Sequence, residues 1–204
     1  MKLIGIIISK CYPKETRPIF LCTTHDVSSF SFTYRNAVKD VSKFLTREII
    51  PRLKVGQREV IGHEDYKFCA MRWSDGLAVA MLTDKDYPPR VAFQCLTKVH
   101  HDFKSKVPEQ FYKAVTDDGA AASYKDVLRE FLKEFKDPSK FDAVTSTQQK
   151  VDESKKIVQR RLDDVLDNMQ NLDKLVEQSD DLSTNTQVMF KTAKKMKKGC
   201  CKVT

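Results

Sequence analysis

The residues best placed to do chemistry lie at the end of the sequence, Lys194-Lys195-Met196-Lys197-Lys198-Gly199-Cys200-Cys201-Lys202-Val203-Thr204. Cys201 is fourth from the last residue, the position that C-a-a-X prenylation uses, with aliphatic Val203 in the second "a" place and small, polar Thr204 last. Lys202 departs from that pattern. Cys200 beside it is a candidate for palmitoylation. Six lysines stand between 191 and 202 with no acid among them. One lipid chain holds a protein to a bilayer only marginally, whereas two chains, or one chain with basic residues, make a durable anchor. Each lysine near an anionic leaflet adds about 1 kcal/mol. The tail therefore predicts contact with a membrane surface through lipid and lysines. The lysines are not interleaved with aromatics, so no nucleic-acid partner is expected.

Other reactive side chains are scattered. Cys11, Cys22, Cys69 and Cys95 occur singly in apolar surroundings, as buried free thiols do in a reducing compartment. No Cys-x-x-Cys occurs, so no metal site is expected. His25, His63, His100 and His101 have no motif context with any cysteine, and there is no nucleophile elbow, phosphate loop or zinc-protease pattern. His100 and His101 read as plain surface residues. The chain is expected to be no enzyme and to need no cofactor. No apolar run approaches a membrane span, and Leu3–Ile8 is shorter than a signal-peptide core, so the protein is expected to be made and kept in the cytosol.

The elements that position these groups fall into two halves. The whole chain of 204 residues is 41% apolar and 31% charged with a net charge of +8, so part of it is expected to lie outside a conventional core. Up to residue 136, short apolar runs alternate with turn signals. Strands are predicted over Leu3–Ser9, Ile19–Thr23, Glu59–Gly62, Tyr66–Trp73 and Leu77–Thr83, the last two joined by the hairpin signal Ser74-Asp75-Gly76. Helices are predicted over Asn36–Ile50, ended by Pro51, over Arg90–Phe103, and over Ser123–Phe135, which opens with a capping-box pattern. This is an α+β arrangement, an antiparallel sheet covered by helices.

From 137 to 198 a single period takes over, ahead of a tail at 199–204. Val151, Ser154, Val158, Arg161, Val165, Asn168, Leu172, Leu175, Ser179, Leu182, Thr186, Met189, Ala193 and Met196 recur at steps of three and four, a heptad seam. As one helix it would span on the order of 80 Å. Ser154, Arg161, Asn168, Ser179 and Thr186 interrupt the seam, which suits a segment that is weak alone and strong with chosen partners. A two-stranded homodimer is the simpler alternative.

These halves together resemble the lipid-anchored longin-domain R-SNARE family. Gly56-Gln57-Arg58, Asp84-Lys85-Asp86-Tyr87-Pro88, Asp137-Pro138-Ser139, Val151-Asp152-Glu153-Ser154-Lys155, Leu172-Asp173-Lys174-Leu175-Val176 and Met189-Phe190-Lys191-Thr192-Ala193-Lys194-Lys195 carry the resemblance. It implies a longin (profilin-like) domain at 1–136, a five-stranded antiparallel sheet with helices on both faces, followed by one long coiled-coil SNARE helix. It implies a parallel four-helix bundle with three Q-SNARE helices that drives vesicle docking and fusion, in the cytosol and on the cytoplasmic face of Golgi, endosomal or vacuolar membranes. It implies an intramolecular contact in which the longin domain receives its own SNARE segment and lipid. Phe44 on the first helix is the candidate contact residue, with an ordinary sheet-facing core position as the alternative. The family carries Arg in the central layer, and alignment places Asn168 there. A buried Asn can fix register but supplies no cation. That departure sustains a second reading, a non-fusogenic longin and coiled-coil tether or adaptor.

Overall fold

A computed structural model of the chain describes residues 2–12, 15, 17–142, 157–167, 172–189 and 192. Strands β1 (Leu3–Lys10) and β5 (Leu77–Asp84) run antiparallel at the centre of one sheet, and both are buried almost throughout. An unbroken apolar run demands this, because alternate side chains point to opposite faces and both faces must then be covered. Strand β2 (Ile19–His25) flanks β1, and β4 (Tyr66–Arg72) and β3 (Arg58–His63) continue outward from β5, all antiparallel. The β4–β5 hairpin closes on the predicted turn. Gly76 adopts a φ of 83°, the Trp73 N–H donates to the Leu77 carbonyl at 2.8 Å, and the Leu77 N–H donates to the Asp75 carboxylate at 3.1 Å.

Helices cover both faces. Helix α1 (Phe32–Ile49) packs through Phe44, Leu45 and Ile49 on one face, with Ile61, Phe68, Ala70, Ala78 and Ala80 of the sheet. Helices α2 (Pro89–Lys106) and α4 (Lys125–Glu134) close the other through Val91, Leu96, Val99, Leu128 and Phe131. Two short helices, α3 (Glu109–Ala114) and α5 (Ser139–Asp142), were not legible as apolar periods. Helix α1 begins four residues before the predicted Asn36, because its first turn is exposed and carries no buried stripe. The predicted capping box does not form. Ser123 sits inside a 3₁₀ turn over Ala122–Tyr124, one residue short of the cap position that Tyr124 occupies.

Two differences concern the heptad segment. A sixth strand, β6 (Ile157–Arg161), lies parallel to β3 at the sheet edge, in a register running from Arg58↔Ile157 to Gly62↔Arg161. The order is therefore β2-β1-β5-β4-β3-β6, and the sheet is mixed. Helices α6 (Leu162–Asp167) and α7 (Leu172–Glu177) follow, with a further helical stretch at 184–189. The described part of the segment is thus a strand and short helices, where the heptads predict one long helix. A heptad seam records what a segment forms beside other helices. Beside its own domain, β-branched Ile157 and Val158 suit the open edge of β3, whose unpaired backbone groups gain partners.

Candidate functional site

The segment lies in a groove built from α1, the β3 edge and the sheet face between them. Leu166, Leu172, Val176 and Leu182 join the buried cluster of Phe44, Leu45, Ile49, Ile61 and Phe68. Leu162, Val165 and Leu175 pack against it partly buried. Burying each such side chain is worth on the order of 1.5–3 kcal/mol before the entropy of ordering is subtracted. Leu172 and Leu182 are seam residues, but Leu166 and Val176 are not. The groove thus takes a face of the segment that only partly overlaps the heptad stripe.

Polar contacts fix the register from end to end. At the strand, Arg160 Nε lies 3.4 Å from Glu59 Oε1, and Gln57 donates to Glu59 Oε2 at 2.8 Å. Burial pushes the Glu59 carboxyl above its ordinary range, and Arg160 and Gln57 oppose that rise. In the middle, Arg47 of α1 is only 7% exposed. It donates through Nε to Asp181 at 2.8 Å, to Asp118 and to the Pro18 carbonyl, with its guanidinium 3.8 Å from the centre of the Phe20 ring. Burial works against its charge, but the hydrogen bonds and charges of Asp181 and Asp118 outweigh it and raise its pKa. At the far end Asp40 accepts hydrogen bonds from the Ser183 hydroxyl at 2.8 Å and the Thr186 hydroxyl at 2.9 Å. Ser183 precedes the helical stretch, and its Oγ accepts from the Thr186 N–H at 3.4 Å, in the manner of a helix cap.

An apolar cavity of about 200 Å³ lies beside this contact, lined by Ala37, Val38, Val41, Leu45, Phe68 and Leu162 among others.

The structure brings together Phe44, Val165, Leu172, Leu175 and Leu182 of the residues singled out in the sequence, and Thr186 is buried against Asp40. Val158 sits half-buried on β6 opposite Glu59. Arg161 is exposed, Ser179 half-buried, and Met189 36% exposed. Val151, Ser154, Asn168, Ala193, Met196, Cys200 and Cys201 lie outside the described residues. Asp40, Arg47, Glu59 and Asp181 were missed. Each is an ordinary charged residue whose partner is remote in sequence, and no spacing reveals such a pair.

His25, His100 and the inner cysteines are structural, and His101 is exposed as expected. His100 is a correction to the surface reading. It is buried, its Nε2 lies 2.9 Å from Asp75 Oδ2, and its ring stacks on Trp73 with centroids 4.1 Å apart. His25 Nε2 lies 2.7 Å from the Ser42 hydroxyl. Cys11, Cys22, Cys69 and Cys95 are buried free thiols. Burial pushes Cys22 up to about 11 and Cys69 up to about 12, which keeps the nucleophilic thiolate scarce. Among the described residues no group of His, Cys, Asp and Glu could hold a metal ion, and no helix is long and apolar enough to cross a membrane.

A helix-flanked sheet that seats a heptad-patterned segment of its own chain defines a class, an α+β sheet domain followed by a heptad segment. The comparisons with known proteins make it particular. Residues 27–132 match the Longin model, described as a regulated-SNARE-like domain, and residues 143–202 match the Synaptobrevin model. The chain is 34% identical over 201 residues to "Synaptobrevin homolog ykt6" of Schizosaccharomyces pombe, covering 98% of each chain. It is 34% identical over 203 residues to "VAMP-like protein YKT61" of Arabidopsis thaliana, covering all of both. It is 33% identical over 201 residues to "Synaptobrevin homolog YKT6" of Yarrowia lipolytica, covering 98% of each. The chain belongs to the longin-domain synaptobrevin family, the R-SNAREs. Its function is that of a SNARE in vesicle traffic, and the tether or adaptor alternative is not favoured. The family is non-enzymatic, and it implies SNARE partners and membrane association.

Proposed function

We propose that this SNARE switches its heptad segment between two seats, the groove of its own longin domain and a parallel bundle with three Q-SNARE helices. The observation that carries the reading is the burial of Leu172 and Leu182, two bundle-layer residues, against α1 and the sheet. A side chain buried there is withheld from a bundle, so the two seats exclude one another. In the bundle Val151, Ser154, Val158, Arg161, Val165, Leu172, Leu175, Ser179, Leu182, Thr186, Met189, Ala193 and Met196 form the layers, with Asn168 at the centre. Bundle folding supplies the work of bringing membranes together, and no covalent chemistry is required.

Cys201 carries a prenyl chain and Cys200 a palmitoyl chain in this reading, and the lysine run adds attraction to an anionic leaflet. The apolar cavity beside Val41 and Leu162 supports a seat for lipid in the closed molecule. The protein then partitions between cytosol and the cytoplasmic face of Golgi, endosomal or vacuolar membranes. Phe44, at 1% exposure, is the pivot of the closed seat. The Phe44→Glu protein is expected to expand in small-angle scattering, to partition more to membranes in cells, and to assemble faster with Q-SNARE helices. Unchanged dimensions together with unchanged partition would refute the closed seat. Failure of the wild-type chain and the variant alike to form an SDS-resistant four-helix complex would refute the bundle.

A further inference from the structure

We propose that the face of helix α1 beside β2 is a membrane contact distinct from the tail, a basic stripe tipped by an aromatic side chain that rests on an anionic bilayer and sets how the longin domain faces it. The choice of occupant rests on the membrane association proposed above, but the contact uses neither the terminal cysteines nor the groove. Phe32, 85% exposed, is the most solvated large apolar side chain among the described residues, and Tyr34 on the same turn is 53% exposed. The loop before them is braced. Arg35 donates through Nε to the Phe30 carbonyl at 3.1 Å and through Nη2 to the Ser28 carbonyl at 3.5 Å, and the Phe30 ring lies 6.1 Å from that of Tyr66 on β4. An aromatic ring held out in water on a fixed support gains free energy by entering the boundary between headgroups and acyl chains.

Charge behind the aromatic tip selects the bilayer. Phe32, Arg35, Lys39 and Lys43 follow at steps of three, four and four, so they line one face of the helix over about 16 Å. The first turn holds no acid. Asp40, the one acid between Phe32 and Lys43, is occupied by the Ser183 and Thr186 hydroxyls. Arg35 meets carbonyls, not a carboxylate, so its charge stays uncompensated. The stripe is anchored to the sheet where His25 Nε2 lies 2.7 Å from the Ser42 hydroxyl. Burial, then Lys43, Lys39 and Lys125 in that order, lower the His25 pKa, which places three ammonium groups from α1 and α4 around one residue of β2. A second copy is a poor occupant, because it would set the same cations against themselves. An anionic leaflet offers negative charge along the whole stripe and accepts an aromatic ring at its boundary, so one surface satisfies both features.

The test uses the full-length chain with Cys200→Ser and Cys201→Ser, so that no lipid is attached, and with Thr33→Cys carrying an environment-sensitive dye. The inner cysteines are buried, so the dye goes to position 33. The probes are vesicles of phosphatidylcholine alone and of phosphatidylcholine with about one-third phosphatidylserine. The chain is expected to bind the anionic vesicles roughly tenfold or more tighter than the neutral ones, with the dye emission shifting to the blue as it enters the interface. Lys39→Gln with Lys43→Gln is expected to weaken binding by about fivefold for each lysine. Phe32→Ser is expected to abolish the blue shift. Should melting show the lysine pair unfolded, Lys39→Gln alone is held to the same direction. Every variant keeps the tail lysines, so unchanged affinity in the lysine variants, or a dye that stays in water, would show the tail acting alone and overturn the proposal. Equal affinity for neutral vesicles, or self-association of the chain that Phe32→Ser abolishes, would also overturn it. Bare Cys200 and Cys201 in the chain taken from cells would refute the lipid anchor and leave this contact standing. A lipidated chain that sits on vesicles with its dye still in water would refute this inference alone.

Discussion

Arg47 ties the heptad segment to the domain, donating to Asp181 of the segment as well as to Asp118 and the Pro18 carbonyl. A buried guanidinium stripped of partners is costly, and hydrogen bonds to charged groups contribute about 1.5–3 kcal/mol each. Asp181→Asn removes one carboxylate but leaves Arg47 its contacts with Asp118 and the Pro18 carbonyl. The longin domain is therefore expected to melt as before, while amides of 157–161 and 172–177 exchange roughly tenfold or more faster. Equal exchange in variant and wild type would remove Asp181 from the lock. His25 makes a second residue-scale prediction. Burial, with Lys43 and Lys39 adding, lowers its pKa from 6.5 to about 4. The unfolded chain then binds a proton that the folded one refuses, so the stability tied to neutral His25 is complete above about pH 6.5 and lost as pH falls through 4. His25→Gln is expected to flatten denaturant-measured stability across that window. An unchanged slope would show that His25 titrates alike in both states.

At the scale of elements, the β4–β5 hairpin is tied to α2 through Asp75, which accepts from His100 and Lys104, each at 2.9 Å. These contacts and the Leu77 N–H hold the Asp75 carboxyl well below its ordinary range against the effect of its burial. Asp75→Ala is expected to cost about 1–3 kcal/mol and to leave heptad-segment exchange untouched, since the partners of Asp75 are His100, Lys104 and the Leu77 N–H and none belongs to the segment. A matching rise in segment exchange would show the two regions coupled. The same elements show what a sequence discloses. Leu3–Ile8 and Ser74-Asp75-Gly76 announce a buried strand and a tight turn because burial and positive φ restrict residue type directly. Strand β6 stayed hidden, because a period of three and four describes the helical seat and is silent about the extended one. His100 was misread for a related reason: the Asp75 and Trp73 that bury it belong to a hairpin 25 residues away in sequence, and helix periodicity reports only how apolar a face is.

For the whole molecule the proposed function turns on the groove. In that proposal its apolar part competes for Leu172 and Leu182 with the bundle, while Glu59, Arg47 and Asp40 hold the segment by polar contacts. Of this site the sequence disclosed the heptad pattern of the segment. It did not disclose the receiving residues, which share no period because they come from a sheet edge and one helix. The measurement that bears most directly on the two-seat account is energy transfer between dyes placed at Asn36 and Val188. Both residues are exposed, and they lie one turn from Asp40 and two residues from Thr186 respectively, on the two sides of that hydrogen bond. Transfer should be high in the free chain and collapse in step with four-helix assembly as Q-SNARE helices are added. Full assembly with transfer unchanged would mean that the segment enters the bundle without leaving the groove, and the account would fail.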